Sequence, residues 1–285
     1  MTRIAIFGDV HEQWSDLHAA STTMQDRFGC AYGIQVGDLG LNYDADVSLR
    51  FPFPIYAIDG NHEDHELLCS ISKSDHATDP WSATGIRWMR RGEVITIGTA
   101  RVGFLGGALH GHATQVTVPE IPANKPLSLR RSPRMHWAQY PLLDEVETLI
   151  TNAGTQRLDL LVTHSCPSGA GIGLRSSNWR WNAAAIEHIL DRGLETGPTD
   201  DLGDPALTVL RQRLSSTRSP RYWCFGHWHR IIRQFDPNSA TDYLCVGLCD
   251  STVHPAFTPH YYDDELDDIV ICEPITFPEI QKKHS

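Results

Sequence analysis

Three short apolar runs near the start of the chain, Ile4-Ala5-Ile6, Ile34-Gln35-Val36 and Ile55-Tyr56-Ala57-Ile58, constrain the fold most. Each is followed by a stretch of helical length and spacing: Trp14 to Phe28 stopped at Gly29, then Asp44 to Arg50, then Glu63 to Cys69. Strand and helix in strict alternation predict a mostly parallel α/β sheet. Further on, Val94 to Ile97 and Arg101 to Leu105 read as a hairpin, and Asp159 to Thr163 and Tyr222 to Phe225 as strands. Ile231 to Phe235, Tyr243 to Val246 and Asp268 to Cys272 complete the C-terminal strands, with helices expected over Leu142 to Thr151, Ala183 to Arg192 and Ala206 to Leu214.

One stretch breaks the pattern. From Ala108 to Pro141 the periodicity stops, and five prolines, Lys125, Arg130, Arg131 and Arg134 mark an irregular insertion. Long segments of this kind in compact domains are often lids or binding loops. No repeat or linker divides the chain, so residues 1–285 read as a single domain carrying that insertion.

A chain of 285 residues with 41% hydrophobic content can bury a sizeable core. The formal net charge of -11 argues against a broad electrostatic partnership with nucleic acid, although nucleic acid stays open as a substrate. The seven cysteines contain no Cys-x-x-Cys pair, so neither a structural zinc site nor a disulfide framework is indicated. Several, such as Cys224 and Cys272, lie in apolar runs and read as small core hydrophobes. No apolar run approaches the ~20 residues of a membrane helix, and Met1-Thr2-Arg3 enters the first strand directly, which predicts a cytoplasmic protein without a signal peptide.

Chemistry gathers at the ends of the expected strands. Asp9 and His11, two apart, can present an oxygen and a nitrogen to one point, as a divalent metal requires. Asp38, Asn61 with His62, His164, and His227 with His229 occupy the same context after later strands. In open α/β sheets that edge is where ligands bind. Each residue alone also fits a turn, a cap or a core histidine. Five such clusters in this order are far harder to assign to chance.

The five clusters together resemble the signature of the calcineurin-like metallophosphoesterases. Its blocks stand here as Gly8-Asp9-Val10-His11, Gly37-Asp38, Gly60-Asn61-His62-Glu63, Thr163-His164 and Gly226-His227-Trp228-His229. The resemblance runs from residue 4 to about residue 249. It implies a four-layer α/β/β/α sandwich of two mixed sheets, with two divalent metals at the strand ends. Carried over block by block, Asp9, His11 and His229 would hold one ion, Asn61, His164 and His227 the other, with Asp38 bridging. An oxygen and nitrogen donor set suits Mn²⁺, Fe²⁺/³⁺, Zn²⁺ or Co²⁺ without selecting among them. His62 would act as general acid; Glu63 or Asp59 can orient it, although Glu63 reads rather as a helix-start residue.

The substrate is less constrained. Protein phosphatases of this family follow Gly-Asp with Val-Asp-Arg-Gly, whereas Gly37-Asp38 here continues Leu39-Gly40-Leu41-Asn42 without the phosphate-clamping arginine. A Gly-Gly after a hairpin, a Pro- and His-rich insertion and a Thr-His-x-x-Pro segment are loosely similar in layout to RNA lariat debranching enzymes, which favours phosphodiesters. Arg130, Arg131 and Arg134 in the insertion can contact phosphate, and Trp137 can stack on a base; an incidental solvated loop is the equal alternative. His110 with His112 can reach the pocket as substrate groups though not as metal ligands, and the cluster Arg175, Trp179, Arg180 and Trp181 admits both substrate and packing roles. The expectation is a phosphodiesterase on nucleotides or small diesters. A phosphomonoesterase, a protein phosphatase and, remotely, a metal-free scaffold are the alternatives.

Overall fold

The computed structural model of the protein describes residues 2–42, 45–108, 140–172, 174–175, 201–214 and 218–277. Its first half contains β1 (Arg3–Phe7), α1 (Trp14–Phe28), β2 (Tyr32–Gln35), β3 (Ile55–Ala57), α2 (His65–Ile71), β4 (Ile86–Trp88), β5 (Val94–Ile97) and β6 (Ala100–Leu105). Next come α3 (Leu143–Ala153), β7 (Leu160–Thr163), β8 (Leu174–Arg175), β9 (Asp201–Leu202), α4 (Pro205–Arg213) and β10 (Tyr222–Phe225). The chain closes with β11 (Ile232–Asp236), β12 (Thr241–Cys245), β13 (Ala256–Phe257), β14 (His260–Asp263), β15 (Asp268–Ile271) and β16 (Ile275–Thr276).

Two six-stranded mixed sheets dominate, ordered β15-β14-β1-β2-β3-β4 and β11-β12-β10-β7-β6-β5. In the first, β1 to β4 run parallel, β14 lies antiparallel to β1, and β15 lies antiparallel to β14. In the second, β12, β10, β7 and β6 run parallel between the antiparallel outer strands β11 and β5.

Alternation along each strand builds the layers. On β1, Ile4 and Ile6 join Val102, Phe104, Leu160 and Val162 in an apolar layer between the two sheets. Ala5 and Phe7 face the other way, against Leu17 and Met24 of α1 and Leu67 and Leu68 of α2. On the far side, Leu161, Trp223 and Phe225 pack against Val146 and Leu149 of α3 and Leu207 and Leu210 of α4. Helix, sheet, sheet, helix is therefore the order of layers, as the resemblance implied. Along one border Arg233 of β11 donates to Asp242 on β12 and to Asp268 and the Ile269 carbonyl on β15, tying an outer strand of each sheet together.

Local signals account for the helix ends. Gly29 stops α1 in a left-handed conformation, its N–H bonding the Gln25 carbonyl and the next N–H, of Cys30, the Met24 carbonyl. Asp204 caps α4 ahead of Pro205, accepting from the Ala206 and Leu207 N–H groups. The structure corrects two expectations. Residues 45–50 are turn rather than helix, because Asp46 accepts from the N–H and hydroxyl of Ser48 and holds a local turn. α2 starts at His65 because Asp64, not Glu63, accepts from the Leu67 N–H as its cap. Strands β4 and β14 extend the first sheet beyond expectation. At the head of β14, His260 is fully buried; its Nδ1 lies 2.6 Å from the Thr258 carbonyl and its Nε2 has no hydrogen-bond partner. The expected helix over residues 183–192 and the insertion at 109–139 lie outside the described residues. No helix among the described residues is long and apolar enough to cross a membrane.

Candidate metal centre

Loops leaving the C-terminal ends of β1, β2 and β3 in one sheet meet those leaving β7 and β10 in the other. The meeting is made by backbone bonds. The Val10 and His11 N–H groups donate to the Asp38 carbonyl at 2.9 and 2.8 Å. Asn61 and His62 N–H groups donate to Asp38 Oδ1 at 2.8 and 2.9 Å. From the second sheet, the His227 N–H donates to Asp9 Oδ2 at 3.0 Å and the Gly226 N–H to the His164 carbonyl at 3.1 Å.

These bonds leave two groups of side-chain donors, Asp9 with His11 and His229, and Asp38 with His164 and His227. Within each group the donor atoms lie inside 4.8 Å of one another. His229 Nε2 is 3.0 Å from Asp9 Oδ2. Asp38 Oδ2 faces both groups, 3.2 Å from His164 Nε2 and 3.7 Å from His11 Nε2. Asn61 lies beside the second group, its Oδ1 buried without a hydrogen-bond partner.

The residues present fit a pair of divalent cations. His164 Nδ1 lies 2.8 Å from the Val36 carbonyl, which fixes the proton there and leaves the buried Nε2 without a hydrogen-bond partner despite its nearness to Asp38. His11 Nδ1 lies 3.3 Å from the buried Asp250 carboxylate, so its Nε2 likewise faces inward. Burial opposes a charged His11, but Asp38, Asp9 and Asp250 outweigh it and push the imidazole up to about 9. Burial opposes a charged His164 too, and Asp38 and Asp9 still push it up to about 10. Asp38 in turn is held well below the carboxylate range: burial works the other way, and His164 and His11 prevail. A pocket that holds protons this tightly is one that attracts positive charge.

Strain concentrates here as well. His11, Glu12, Asp38, His227 and His229 all have φ between 48° and 69°, the left-handed region that non-glycine residues seldom occupy. Asp9 and His11 do converge, but through this turn after β1 rather than along extended backbone. Gly60 and Gly226 permit close approaches to the carboxylates, since a Cβ would overlap Asp38 Oδ1 at the first and Asp9 Oδ1 at the second.

His62 stands at the rim, its side chain 43% exposed and its Nε2 4.0 Å from Asp38 Oδ2. Burial draws its imidazole below the ordinary value, with His11 and His164 adding to the effect against Asp38. Neither expected role for Glu63 matches the structure. It precedes α2 and turns inward, accepting from the Gly60 N–H at 2.6 Å and the Leu39 N–H at 2.8 Å, so it clamps the Asp38 and Asn61 loops together. Burial and the nearby Asp38 push it up to about 8. Asp59 is committed to Arg91 at 2.5 Å and to the Trp88 indole.

Sequence reasoning missed Asp250. It follows β12 and lies 239 positions from the histidine it contacts, with no spacing to announce it. Arg130, Arg131, Arg134, Trp137, His110, His112, Trp179, Arg180 and Trp181 lie outside the described residues. Cys166 is a packed thiol in the layer beneath α4.

Comparison with known proteins adds the following. No curated protein matches the chain. Among solved structures, the protein TT1561 of Thermus thermophilus superposes with a TM-score of 0.50 at 9% identity, covering 95% of this chain and 97% of that one. An archaeal phosphodiesterase covers 96% of this chain and 100% of its own at 11% identity, with a TM-score of 0.43. The family comparison reaches further, matching residues 2–230 to the calcineurin-like phosphoesterases. That span contains all five blocks of the strand-end constellation, and the chain belongs to this family of metal-dependent phosphoester hydrolases.

Proposed function

We propose that this protein is a dinuclear-metal phosphodiesterase acting on nucleotides or small phosphodiesters. Asp9, His11 and His229 would hold one ion and Asn61, His164 and His227 the other, with Asp38 serving both. When bound, two such ions lower the pKa of a water and neutralise charge on phosphate oxygens; Mn²⁺ is the first to supply.

The chain's own residues do the rest. Asp250 and the Val36 carbonyl hold protons on the Nδ1 atoms of His11 and His164, which keeps each Nε2 free to bind. Glu63 keeps the Asn61 loop against the Asp38 loop. His62, exposed at the rim, protonates the departing alkoxide from its Nε2. Arg130, Arg131 and Arg134 belong to this proposal as phosphate contacts from the insertion.

One observation carries the diester preference. The segment Leu39-Gly40-Leu41-Asn42 that follows Gly37-Asp38 holds no arginine, and its Leu41 is fully buried in the core. The ion-pair partners of Asp9 and Asp38 are all imidazoles among the described residues. A monoester dianion asks for an extra cation; a diester, with one negative charge, does not. With metal supplied, bis-p-nitrophenyl phosphate should turn over at least about tenfold faster than p-nitrophenyl phosphate, and His62→Ala should keep its metal while losing about 10²-fold or more on diesters with poor leaving groups. A preference for the monoester refutes the diester reading, and loss of metal from His62→Ala refutes the role of His62.

A further inference from the structure

A buried ion cluster stands behind the Asn61-His62 loop, away from the metal donors. Its centre is Arg91, whose Nε and Nη2 donate to Asp59 Oδ2 at 3.0 and 2.5 Å and whose Nη1 donates to Glu145 at 3.0 Å. Asp59 is 1% exposed and the Arg91 side chain 9%. Asp59 immediately precedes Gly60-Asn61-His62, so whatever fixes Asp59 fixes the approach of that loop to Asp38.

The same cluster receives both pieces of chain that flank residues 109–139. On the near side, the Gly107 N–H donates to the Asp59 carbonyl at 2.7 Å, and Gly106 packs so closely on the Asp59 carboxylate that a Cβ there would overlap it. On the far side, Arg91 Nη1 donates to the Tyr140 carbonyl at 2.7 Å, and Glu145 accepts from the Leu142 N–H as it opens α3. A single guanidinium therefore bonds the Asp59 loop and the 140–145 segment at once, and Asp59 in turn holds Gly107.

We propose that Arg91 is a positioning residue: through Asp59 it holds the Asn61-His62 loop in register with Asp38, and through Tyr140 and Glu145 it links that loop to the chain flanking residues 109–139. The proposal rests on the roles assigned above to Asn61 and His62. Only a planar fork can serve Asp59, Glu145 and a carbonyl together; a lysine ammonium keeps the charge and loses that geometry. Displacement of a positioned group by about 1 Å can cost about 10²-fold in rate.

Arg91 also lines a cavity of about 290 Å³ with Asp59, His65, Leu68, Trp88 and Glu145. The space vacated by its truncation is thus open to a small cation entering from that side.

The test uses the full chain with Arg91→Lys and Arg91→Ala. Metal titration by calorimetry, with no substrate present, should show one of the two binding steps weakened at least about tenfold and the other weakened far less, because Asn61 is the one proposed metal donor that this loop carries. Turnover should fall about tenfold more on an alkyl-leaving-group diester than on bis-p-nitrophenyl phosphate, since a misplaced His62 matters most when the leaving group needs a proton. Millimolar guanidinium should restore Arg91→Ala and leave the wild type unchanged. Equal weakening of both metal steps, or none in either, overturns the proposal. If Arg91→Ala fails to fold, Arg91→Lys decides by the same two readings. If the wild type hydrolyses no diester while Arg91→Lys loses one metal step, the functional reading fails and the positioning role stands.

Discussion

His260 makes stability depend on pH in a way that can be worked out from its surroundings. It is fully buried, and burial alone draws its imidazole from 6.5 to about 4, with only the Thr258 carbonyl pulling the other way. Between those two values the unfolded chain takes up a proton that the folded protein refuses. Stability is therefore complete above pH 6.5 and falls as pH drops towards 4. At about 1.4 kcal/mol per pH unit, the full window amounts to ~3 kcal/mol, of which ~2 kcal/mol is already lost at about pH 5. Replacing His260 with glutamine removes the titration. The assay compares urea midpoints of wild type and His260→Gln at about pH 7.5 and pH 5, in chelator so that metal release contributes to neither. The glutamine has its own pH-independent cost, which cancels because only the change between the two pH values is read. The wild type should lose ~2 kcal/mol more than the variant on acidification. Equal losses would show that His260 is protonated in the folded protein, and the reasoning from its burial would be refuted.

Asp250→Asn removes the carboxylate that holds the His11 proton on Nδ1, and should weaken one metal step by about 10- to 100-fold in a direct titration. Unchanged affinity in both steps would show that His11 needs no such partner. In metal-free protein His11 and His164, pushed up to about 9 and 10, carry protons at neutral pH and must shed them to bind metal. Calorimetry near neutrality, in buffers of different ionisation enthalpy, should therefore read about two protons released on full loading. Loading without proton release contradicts the charge balance drawn for the site.

How much of this was legible in the sequence depends on how locally each feature is specified. Strands such as β1 and β10 are apolar runs ending in glycine or acid, and such runs announce themselves. β4 does not: it is Ile86-Arg87-Trp88, too short to display a period, and it is a strand only because β3 lies alongside. β14 reads His-Tyr-Tyr-Asp and is buried throughout, with its Asp263 satisfied by Arg3, a neighbour distant in sequence. The turn at residues 45–50 passed for a helix because spacing alone ignores a side chain that bonds its own backbone. The strand-end donors were legible because each motif is compact. Their geometry was not: His11 reaches its group through a left-handed turn, and Glu63 turned inward because Asp64 had already taken the capping position. Asp250 and Arg91 act across the fold, and their partners are set by topology rather than by spacing.

Each donor group draws on both sheets. Asp9 and His11 leave β1 while their companion His229 leaves β10; Asp38 leaves β2 while His164 and His227 leave β7 and β10. A chain being synthesised would thus emerge with Asp9, His11, Asp38 and Asn61 already in hand and neither group complete. The last donors, His227 and His229, arrive only when about four-fifths of the chain has been made. Neither group is complete until the two halves of the sandwich have closed on each other. A complete cation site in this protein is then a product of assembly and not of either half alone.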